Sequence, residues 1–168
     1  MGVDIVEVVP DASGHEWDAF LEAHEHGSFY HRYGWRRLNQ AQLGHNCIYL
    51  EARVGGSVTG ILPLVLTKSR VFGRILCSLP FVNYGGPIAG DAGTTRLLVQ
   101  AAQEHAARLR VDYLELRCTD PLDTDLPVSL HKVSMTIDLE SDPDQLWNRF
   151  SPKMRTKSNW DFPYVRNG

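Results

Sequence analysis

Cysteine is scarce in this sequence, and the few cysteines are far apart. Cys47, Cys77 and Cys118 each lie in an apolar or strand-like stretch with no second cysteine nearby. Isolated cysteines in such surroundings favour buried, reduced thiols over a redox or metal-binding role.

A recognisable metal-binding pattern is also missing. His24, His26 and His31 are irregularly spaced, and no cysteine or carboxylate set completes a site around them. Structural and catalytic zinc sites need three or four ligands at defined spacings. We therefore predict that the protein binds no metal.

The sequence has no long hydrophobic run. Its longest apolar stretch, 61–66, is far too short to span a bilayer and contains Pro63. The first ten residues include Asp4 and Glu7 and lack a basic leader, so they do not resemble a signal peptide. We expect a cytoplasmic protein.

The overall composition is that of one ordinary globular domain. The chain has 168 residues, of which 43% are hydrophobic and 22% are charged, and its formal net charge is -3. A chain of this length can bury a sizeable core without metals or disulfides.

The charge is unevenly distributed along the chain. Five acids and no lysine or arginine lie between residues 11 and 25, whereas five bases and one acid lie between 149 and 168. A basic end of this kind is either a solvated face or a phosphate-binding segment.

Hydrophobic periodicity predicts an α/β fold, with a mixed sheet flanked by helices. The predicted elements are a strand over 3–9, a helix ending at Gly27, a short helix over 34–43, strands over 46–54, 58–66 and 75–79, a helix over 92–109 capped by Asp91 or Thr94, and strands over 111–117 and 132–139. Asp-Pro at 142–143 and Ser-Pro at 151–152 each predict a helix start, with a break between 150 and 151. The regular pattern ends after Ser158. The hairpins make the sheet partly antiparallel, and the crossover through 92–109 supplies its parallel part.

Five short motifs support a more specific interpretation. They are FYHRYGW at 29–35, GILPL at 60–64, YGGP at 84–87, DYLELR at 112–117, and LW at 146–147 followed by SPKMR at 151–155. In this order they resemble the first half of a FemAB-type protein, over about residues 3–158. That family comprises the peptidoglycan-bridge aminoacyltransferases and their relatives associated with exopolysaccharide and exosortase systems. The order of elements is similar to that of the GNAT acyltransferase fold.

The resemblance implies a function and a domain arrangement. FemAB-type proteins carry two GNAT-like domains and transfer an amino acid from aminoacyl-tRNA to an amine of a lipid-linked or nucleotide-linked cell-wall precursor, with no bound cofactor. This chain has room for one such domain. We therefore expect an N-acyltransferase domain over 1–150 and, over 151–168, the start of a truncated second domain or an irregular tail. The expected partners are the envelope precursor, aminoacyl-tRNA and the missing second domain, not DNA, and activity of the chain alone is left open.

Such a transfer needs few catalytic groups from the protein. An amine attacks an activated ester, so the protein must orient both partners, accept one proton and stabilise an oxyanion. No covalent nucleophile is needed. This agrees with a sequence that offers no Ser-His-Asp or Cys-His set, no G-x-S-x-G elbow and no P-loop.

The glycine-rich loop before the 92–109 helix is the first candidate site. Gly85 and Gly86 permit close backbone approach to a ligand, and the loop leads into a helix N-terminus, where free N–H groups attract phosphate or carboxylate. The resemblance implies that Tyr84, Gly85 and Gly86 line the precursor site. The alternative is a strand-to-helix turn that merely needs small residues.

Charged and polar side chains supply the other candidates, each by resemblance. Arg37 or Asn39 corresponds to a residue that reaches precursor phosphate, and Asp120 or its neighbour Thr119 to an acceptor-site residue. As a carboxylate, Asp120 could orient the attacking ammonium or accept its proton. Lys153 and Arg155 belong to a basic helix suited to RNA or precursor phosphate. The alternative is that neither residue binds a ligand, so that Arg37 is an exposed arginine on a helix and Asp120 an acidic residue in a loop.

The alternatives to a FemAB-type acyltransferase are two other functions. A stand-alone GNAT enzyme would use acetyl-CoA and should carry an R/Q-x-x-G-x-G/A pattern before the 92–109 helix, which residues 83–88 do not match. A non-catalytic remnant or interaction domain would expose an apolar patch around 147–160 for a partner.

Overall fold

A computed structural model describes residues 2–9, 14–129, 135 and 137–161, with 158–161 described by their backbone alone. The chain divides into two compact units, Met1–Pro127 and Val128–Gly168, called here the N-terminal and C-terminal units. The domains predicted over 1–150 and 151–168 remain predictions. In the described part of the chain, no helix is long and apolar enough to cross a membrane.

The N-terminal unit is built around a six-stranded mixed sheet. Its elements are β1 (Asp4–Glu7), α1 (His15–Glu22), a 3₁₀ turn (Phe29–His31), α2 (Gly34–Ala41), β2 (Asn46–Val54), β3 (Ser57–Ser69), β4 (Gly73–Cys77), β5 (Ile88–Ala89), α3 (Ala92–Leu109) and β6 (Tyr113–Glu115). The strand order is β1-β2-β3-β4-β6, and β5 also pairs with β3. β4 and β6 are parallel and are joined through α3, whereas the other pairs are antiparallel. This confirms the predicted mixed sheet flanked by helices.

The two faces of the sheet bury different clusters, because successive strand residues point to opposite faces. One cluster joins sheet residues to α1; its fully or nearly fully buried members include Trp17, Leu21, Cys47, Tyr49, Ile61 and Val65. The other joins the sheet to α3 and includes Ile48, Leu50, Leu62, Leu64, Leu66, Leu76, Leu98 and Ala102. With helices on both faces, β2 and β3 carry continuous apolar runs, over 47–50 and 61–66, rather than alternating apolar and polar residues.

The local signals of the central hairpin act as predicted. Gly55 and Gly56 both have positive φ, 58° and 87°, which a tight turn between twisted antiparallel strands requires. Pro63 lies within β3, between the residues paired with β5 and those paired with β4. In the described sheet, Pro63 is paired only with β2. A residue without an N–H is tolerated there, because no described strand pairs with β3 on its other side at Pro63.

Apart from shifted bounds, such as α1 ending at Glu22 rather than at Gly27, the predicted elements of the N-terminal unit differ from the structure at three places. β5 lies inside the stretch predicted as a glycine-rich loop, and the 3₁₀ turn was not predicted. β6 has three residues instead of seven. It ends early because the chain then bonds to the segment after β4, where the Arg117 N–H donates to Ser78 Oγ.

The C-terminal unit contains α4 (Pro143–Arg149) and α5 (Pro152–Asp161). Phe150 is extended between them, which confirms the predicted break. α5 runs three residues beyond Ser158, so the predicted end of regular structure was too early. The tail after 161 lies outside the described residues.

The strand predicted over 132–139 is a further correction. Residues 132–134 and 136 lie outside the described residues, and 135 and 137–139 are not in a strand. Met135 and Leu139 are 93% and 79% exposed. An alternating pattern forms a stable strand only where one face is buried, and these side chains bury little.

Candidate functional site

The candidate site lies where the parallel strands β4 and β6 end. In open α/β sheets, ligands bind outside the carboxyl ends of parallel strands. Here the chain leaving β4, residues 78–87, covers that edge before it forms β5 and leads to α3. We call this segment the edge loop. It contains the predicted site residues Tyr84, Gly85 and Gly86.

Arg117 holds the edge loop in place with its backbone and side chain. The N–H groups of Gly85 and Gly86 both donate to the Arg117 carbonyl oxygen, at 3.0 and 2.9 Å. The guanidinium donates to the Val82 carbonyl oxygen at 2.8 Å and to Glu115 Oε1 at 3.0 Å. Arg117 was not predicted as a site residue, although it belongs to the DYLELR motif.

The two glycines are needed because the chain approaches itself. A Cβ at Gly85 would lie 2.8 Å from the Ser78 carbonyl oxygen, and a Cβ at Gly86 would lie 2.5 Å from Cys118 Sγ. Both residues are buried, and both of their N–H groups already donate to the Arg117 carbonyl oxygen. The close approach predicted toward a ligand is therefore made to the strand end of the same chain, and Tyr84 is the half-buried member of the predicted set.

His31 links the 3₁₀ turn to the edge loop and was missed as a site residue. Its Nε2 lies 3.0 Å from the Gly86 carbonyl oxygen, and its Nδ1 lies 2.8 Å from Ser28 Oγ. A carbonyl can only accept, so Nε2 carries the proton and Nδ1 accepts from the hydroxyl. Burial lowers the pKa of His31, against the opposing effect of the bond to Gly86. The buried imidazole is thus held in one neutral tautomer.

The start of the edge loop is strained. Leu79 and Phe81 have φ values of 56° and 68°, a left-handed conformation that is uncommon for residues other than glycine. Leu79 is buried, whereas the Phe81 ring is exposed and stacks on His45 with ring centroids 6.0 Å apart. Such strain persists only where the surrounding contacts fix the backbone.

The cysteines at this edge are not activated nucleophiles. Burial raises the pKa of Cys77 to about 12 and that of Cys118 to about 11. Thiols with such pKa values stay protonated at neutral pH and react slowly. All three cysteines are free, with Cys47 and Cys77 buried and Cys118 half-buried, as the sequence predicted for the first two.

The N-terminus of α3 is capped by a carboxylate. Asp91 Oδ1 accepts from the Thr94 N–H at 2.9 Å, and Oδ2 accepts from the Thr94 hydroxyl at 2.7 Å. These two bonds hold the pKa of Asp91 below its usual range. The negative charge that a helix N-terminus attracts is therefore supplied by the chain itself.

The predicted phosphate contacts on α2 have different environments. Arg37 is exposed, but Asn39 is buried and donates from Nδ2 to the Trp35 carbonyl oxygen at 2.9 Å. The Asn39 side chain is buried in this structure, and the phosphate contact predicted for it stays a prediction. Of the two, only Arg37 presents its side chain to the surface.

The neighbouring Arg36 is a buried structural residue. Its guanidinium donates to the Val8 carbonyl oxygen at 2.9 Å and to the Tyr33 hydroxyl at 2.8 Å, and it lies over the rings of Tyr33 and Tyr49. Two adjacent arginines on a helix cannot share one face. The spacing alone did not show which of them is buried.

The remaining predicted residues are not part of the edge loop. Asp120 is exposed beyond the end of β6, near enough to Cys118 that its charge helps to raise that thiol's pKa. Lys153 is exposed and Arg155 is half-buried on α5, in the C-terminal unit. Among the described residues, no group of three or more His, Cys, Asp or Glu side chains could hold a metal. Ligand contact by any predicted residue stays a prediction.

Comparison with known proteins defines the fold. No family model and no curated protein matches the chain. A ribosomal-protein-alanine N-acetyltransferase from Brucella melitensis biovar Abortus 2308 is 18% identical, with a TM-score of 0.55, over 83% of this chain and 100% of that one. A transcriptional regulator from Bacillus halodurans C-125 is 15% identical, with a TM-score of 0.51, over 82% and 100%.

At these identities the likeness concerns the fold alone. The chain has the fold of the GNAT acetyltransferases, as the order of its elements predicted. The FemAB-type resemblance rests on the sequence motifs, and activity must be argued from the site.

Proposed function

We propose that this chain is a GNAT-fold half of a FemAB-type N-acyltransferase that binds an anionic envelope precursor and does not use acetyl-CoA. The observation that carries the proposal is the capped N-terminus of α3. Asp91 occupies the position where a helix N-terminus would otherwise accept a phosphate group, and a second anion there would be repelled.

The edge loop supports the same conclusion. A loop that cradles phosphates does so with free backbone N–H groups. The N–H groups of Gly85 and Gly86 are instead bonded to the Arg117 carbonyl oxygen. Together with the missing R/Q-x-x-G-x-G/A pattern, this disfavours a coenzyme pyrophosphate at the start of α3.

The proposed reaction is aminoacyl transfer. The acceptor amine attacks the ester carbonyl carbon of aminoacyl-tRNA, the new C–N bond forms, and the ester C–O bond breaks. The amine proton passes to Asp120, the exposed carboxylate beyond β6, and the leaving tRNA hydroxyl takes up a proton. Arg37 binds precursor phosphate, and Lys153 and Arg155 contact precursor or tRNA phosphate.

The proposal also includes a partner and a compartment. The second GNAT-like domain supplies the opposite wall of the cleft, so the chain alone binds the precursor but turns over slowly or not at all. The site of action is the cytoplasm, because aminoacyl-tRNA is the donor.

Titration calorimetry with a nucleotide-linked muropeptide tests the proposal. The wild-type chain should bind it, and Arg37→Ala should weaken binding by about tenfold, because one charge-assisted pair to phosphate is lost. Arg108→Ala is the matched control, since it removes another exposed arginine, at the end of α3. Absence of binding by the wild-type chain, or an equal loss in both variants, would refute the proposal.

A second function is favoured by one observation. The chain spans 100% of the Brucella N-acetyltransferase, so the region equivalent to a whole acetyltransferase is present. On this alternative the chain acts alone as an acetyl-CoA-dependent enzyme. This alternative predicts that the chain releases free coenzyme A thiol when it is mixed with acetyl-CoA and a peptide amine. The aminoacyl-transfer proposal predicts no such release.

A further inference from the structure

The turn between β3 and β4 exposes an apolar pair at its apex. Val71 and Phe72 are 82% and 73% exposed. They lie within residues 68–74, which we call the hairpin tip. Isolated exposed apolar residues are common, but two adjacent ones at the end of a projecting hairpin need a reason.

The hairpin tip is fixed rather than loose. Ser69 Oγ accepts from the N–H groups of both Val71 and Phe72, at 3.1 Å each. The Arg74 N–H donates to Asp112 Oδ2 at 2.7 Å, which ties the base of the tip to the segment after α3. The backbone is therefore held by its own polar contacts, and the apolar side chains stay exposed in the folded protein.

Positive charge surrounds the apolar pair. Lys68, Arg70 and Arg74 lie in the tip, and Arg110 follows Leu109, whose carbonyl oxygen accepts from the Arg74 guanidinium at 2.8 Å. The one carboxylate in segments 68–74 and 109–112 is Asp112. Lys68 and Arg70 form no ion pair with any residue in the described part of the chain. The tip thus carries net positive charge on a protein whose overall charge is -3.

We propose that the hairpin tip docks on an anionic lipid bilayer. The apolar pair enters the headgroup region, and the surrounding lysine and arginines remain at the level of the lipid phosphates. A nucleic acid would use the cations but has no use for an aliphatic Val71 beside the ring, whereas a bilayer accommodates both. The inference does not depend on the proposed acyl transfer, because it rests on different residues.

Co-sedimentation of the full chain with vesicles tests the inference. Wild type should bind vesicles of phosphatidylglycerol and phosphatidylcholine, and should not bind pure phosphatidylcholine. Changing Val71 and Phe72 together to Ser should weaken binding by at least about tenfold, because their buried apolar area is lost. Changing Lys68 and Arg70 to Gln should cost about fivefold per charge at low salt.

Two matched variants make the result decisive. Phe29→Ser removes a comparably exposed phenylalanine, 71% exposed, outside the tip and should leave vesicle binding unchanged. Phe72→Trp retains an apolar ring and should keep binding, with added fluorescence that shifts to shorter wavelength on the anionic vesicles. The inference fails if wild type does not bind anionic vesicles, if the double Ser variant binds as wild type does, or if both Ser substitutions weaken binding to tRNA as much as to vesicles.

Discussion

The two compact units bury their apolar residues very differently. In the N-terminal unit, Trp17, Leu64 and Leu98 are completely inaccessible to solvent. In the C-terminal unit, none of the described residues is buried, and Leu139 is mostly exposed. The apolar residues of the two units therefore differ in burial, because in the N-terminal unit helices cover both faces of a sheet. Folding stability should accordingly reside in the N-terminal unit.

The largest expected effect comes from the same substitution in each unit. Leu64→Ala should lower the free energy of unfolding by about 2–5 kcal/mol, because it removes buried methyl groups and leaves a cavity. Leu139→Ala should change it by less than about 0.5 kcal/mol, as exposed positions usually do. Urea unfolding followed by circular dichroism measures both. Equal losses would show that Leu139 is buried in the folded protein, which would contradict this difference between the units.

Within the N-terminal unit, we expect a smaller loss of stability at Gly86 than at Leu64. Gly86→Ala should destabilise the protein by about 1–3 kcal/mol, because its Cβ would meet Cys118 Sγ in a packed environment. Gly34→Ala is the control, since a Cβ there meets nothing within 4 Å and alanine favours the helix. Thermal unfolding should give a lower Tm for the first variant and an unchanged or higher Tm for the second. A neutral Gly86→Ala would mean that the edge loop is not tightly packed.

The buried histidine should make the stability depend on pH. The pKa of His31 is lower in the folded than in the unfolded protein, so the unfolded chain binds a proton first as the pH falls. Stability should therefore be fully present above about pH 6.5 and decline below it, by at most about 1.4 kcal/mol per pH unit for this group. His31→Gln should flatten the decline in urea unfolding curves between pH 7 and 5. Changing the exposed His26 to Gln should leave the decline of stability with falling pH unchanged. If His26→Gln flattened the decline as much as His31→Gln, His31 would not be its cause.

The smallest expected effect compares the two helix caps. Asp91→Ala should lower the Tm by about 3 °C, because it removes the acceptor for the Thr94 N–H at the start of a well-packed 18-residue helix. Asp142 accepts from the Asp144 N–H in the same way, but α4 has seven residues and none is buried. Asp142→Ala should hardly change the global Tm. A larger shift from Asp142 would place cooperative stability in the C-terminal unit.

Local signals predicted most of the fold. Both bounds of α3 followed from its periodicity and from Asp91, and the tight turn followed from Gly55-Gly56. These features depend on neighbours in sequence. The strand predicted over 132–139 was wrong at 135 and 137–139, because an alternating pattern does not say whether another surface covers it.

The candidate site was less predictable, because its contacts join residues far apart in the chain. Gly85 and Gly86 were identified as positions of close approach, but the group they approach, Arg117, became visible only with β4 and β6 side by side. His31 was considered only as a metal ligand, and its actual partner, Gly86, lies 55 residues away. Burial likewise separates Arg36 and Asn39 from the exposed Arg37.

We propose that Asp91 occupies the start of α3 and keeps a coenzyme phosphate from binding there. Titration calorimetry of acetyl-CoA into the wild-type chain and into Asp91→Asn tests it most directly, since asparagine keeps a cap but removes the charge. We expect no saturable binding to the wild-type chain, and any weak binding only to the neutral variant. Saturable binding of acetyl-CoA to the wild-type chain at micromolar concentrations would contradict it.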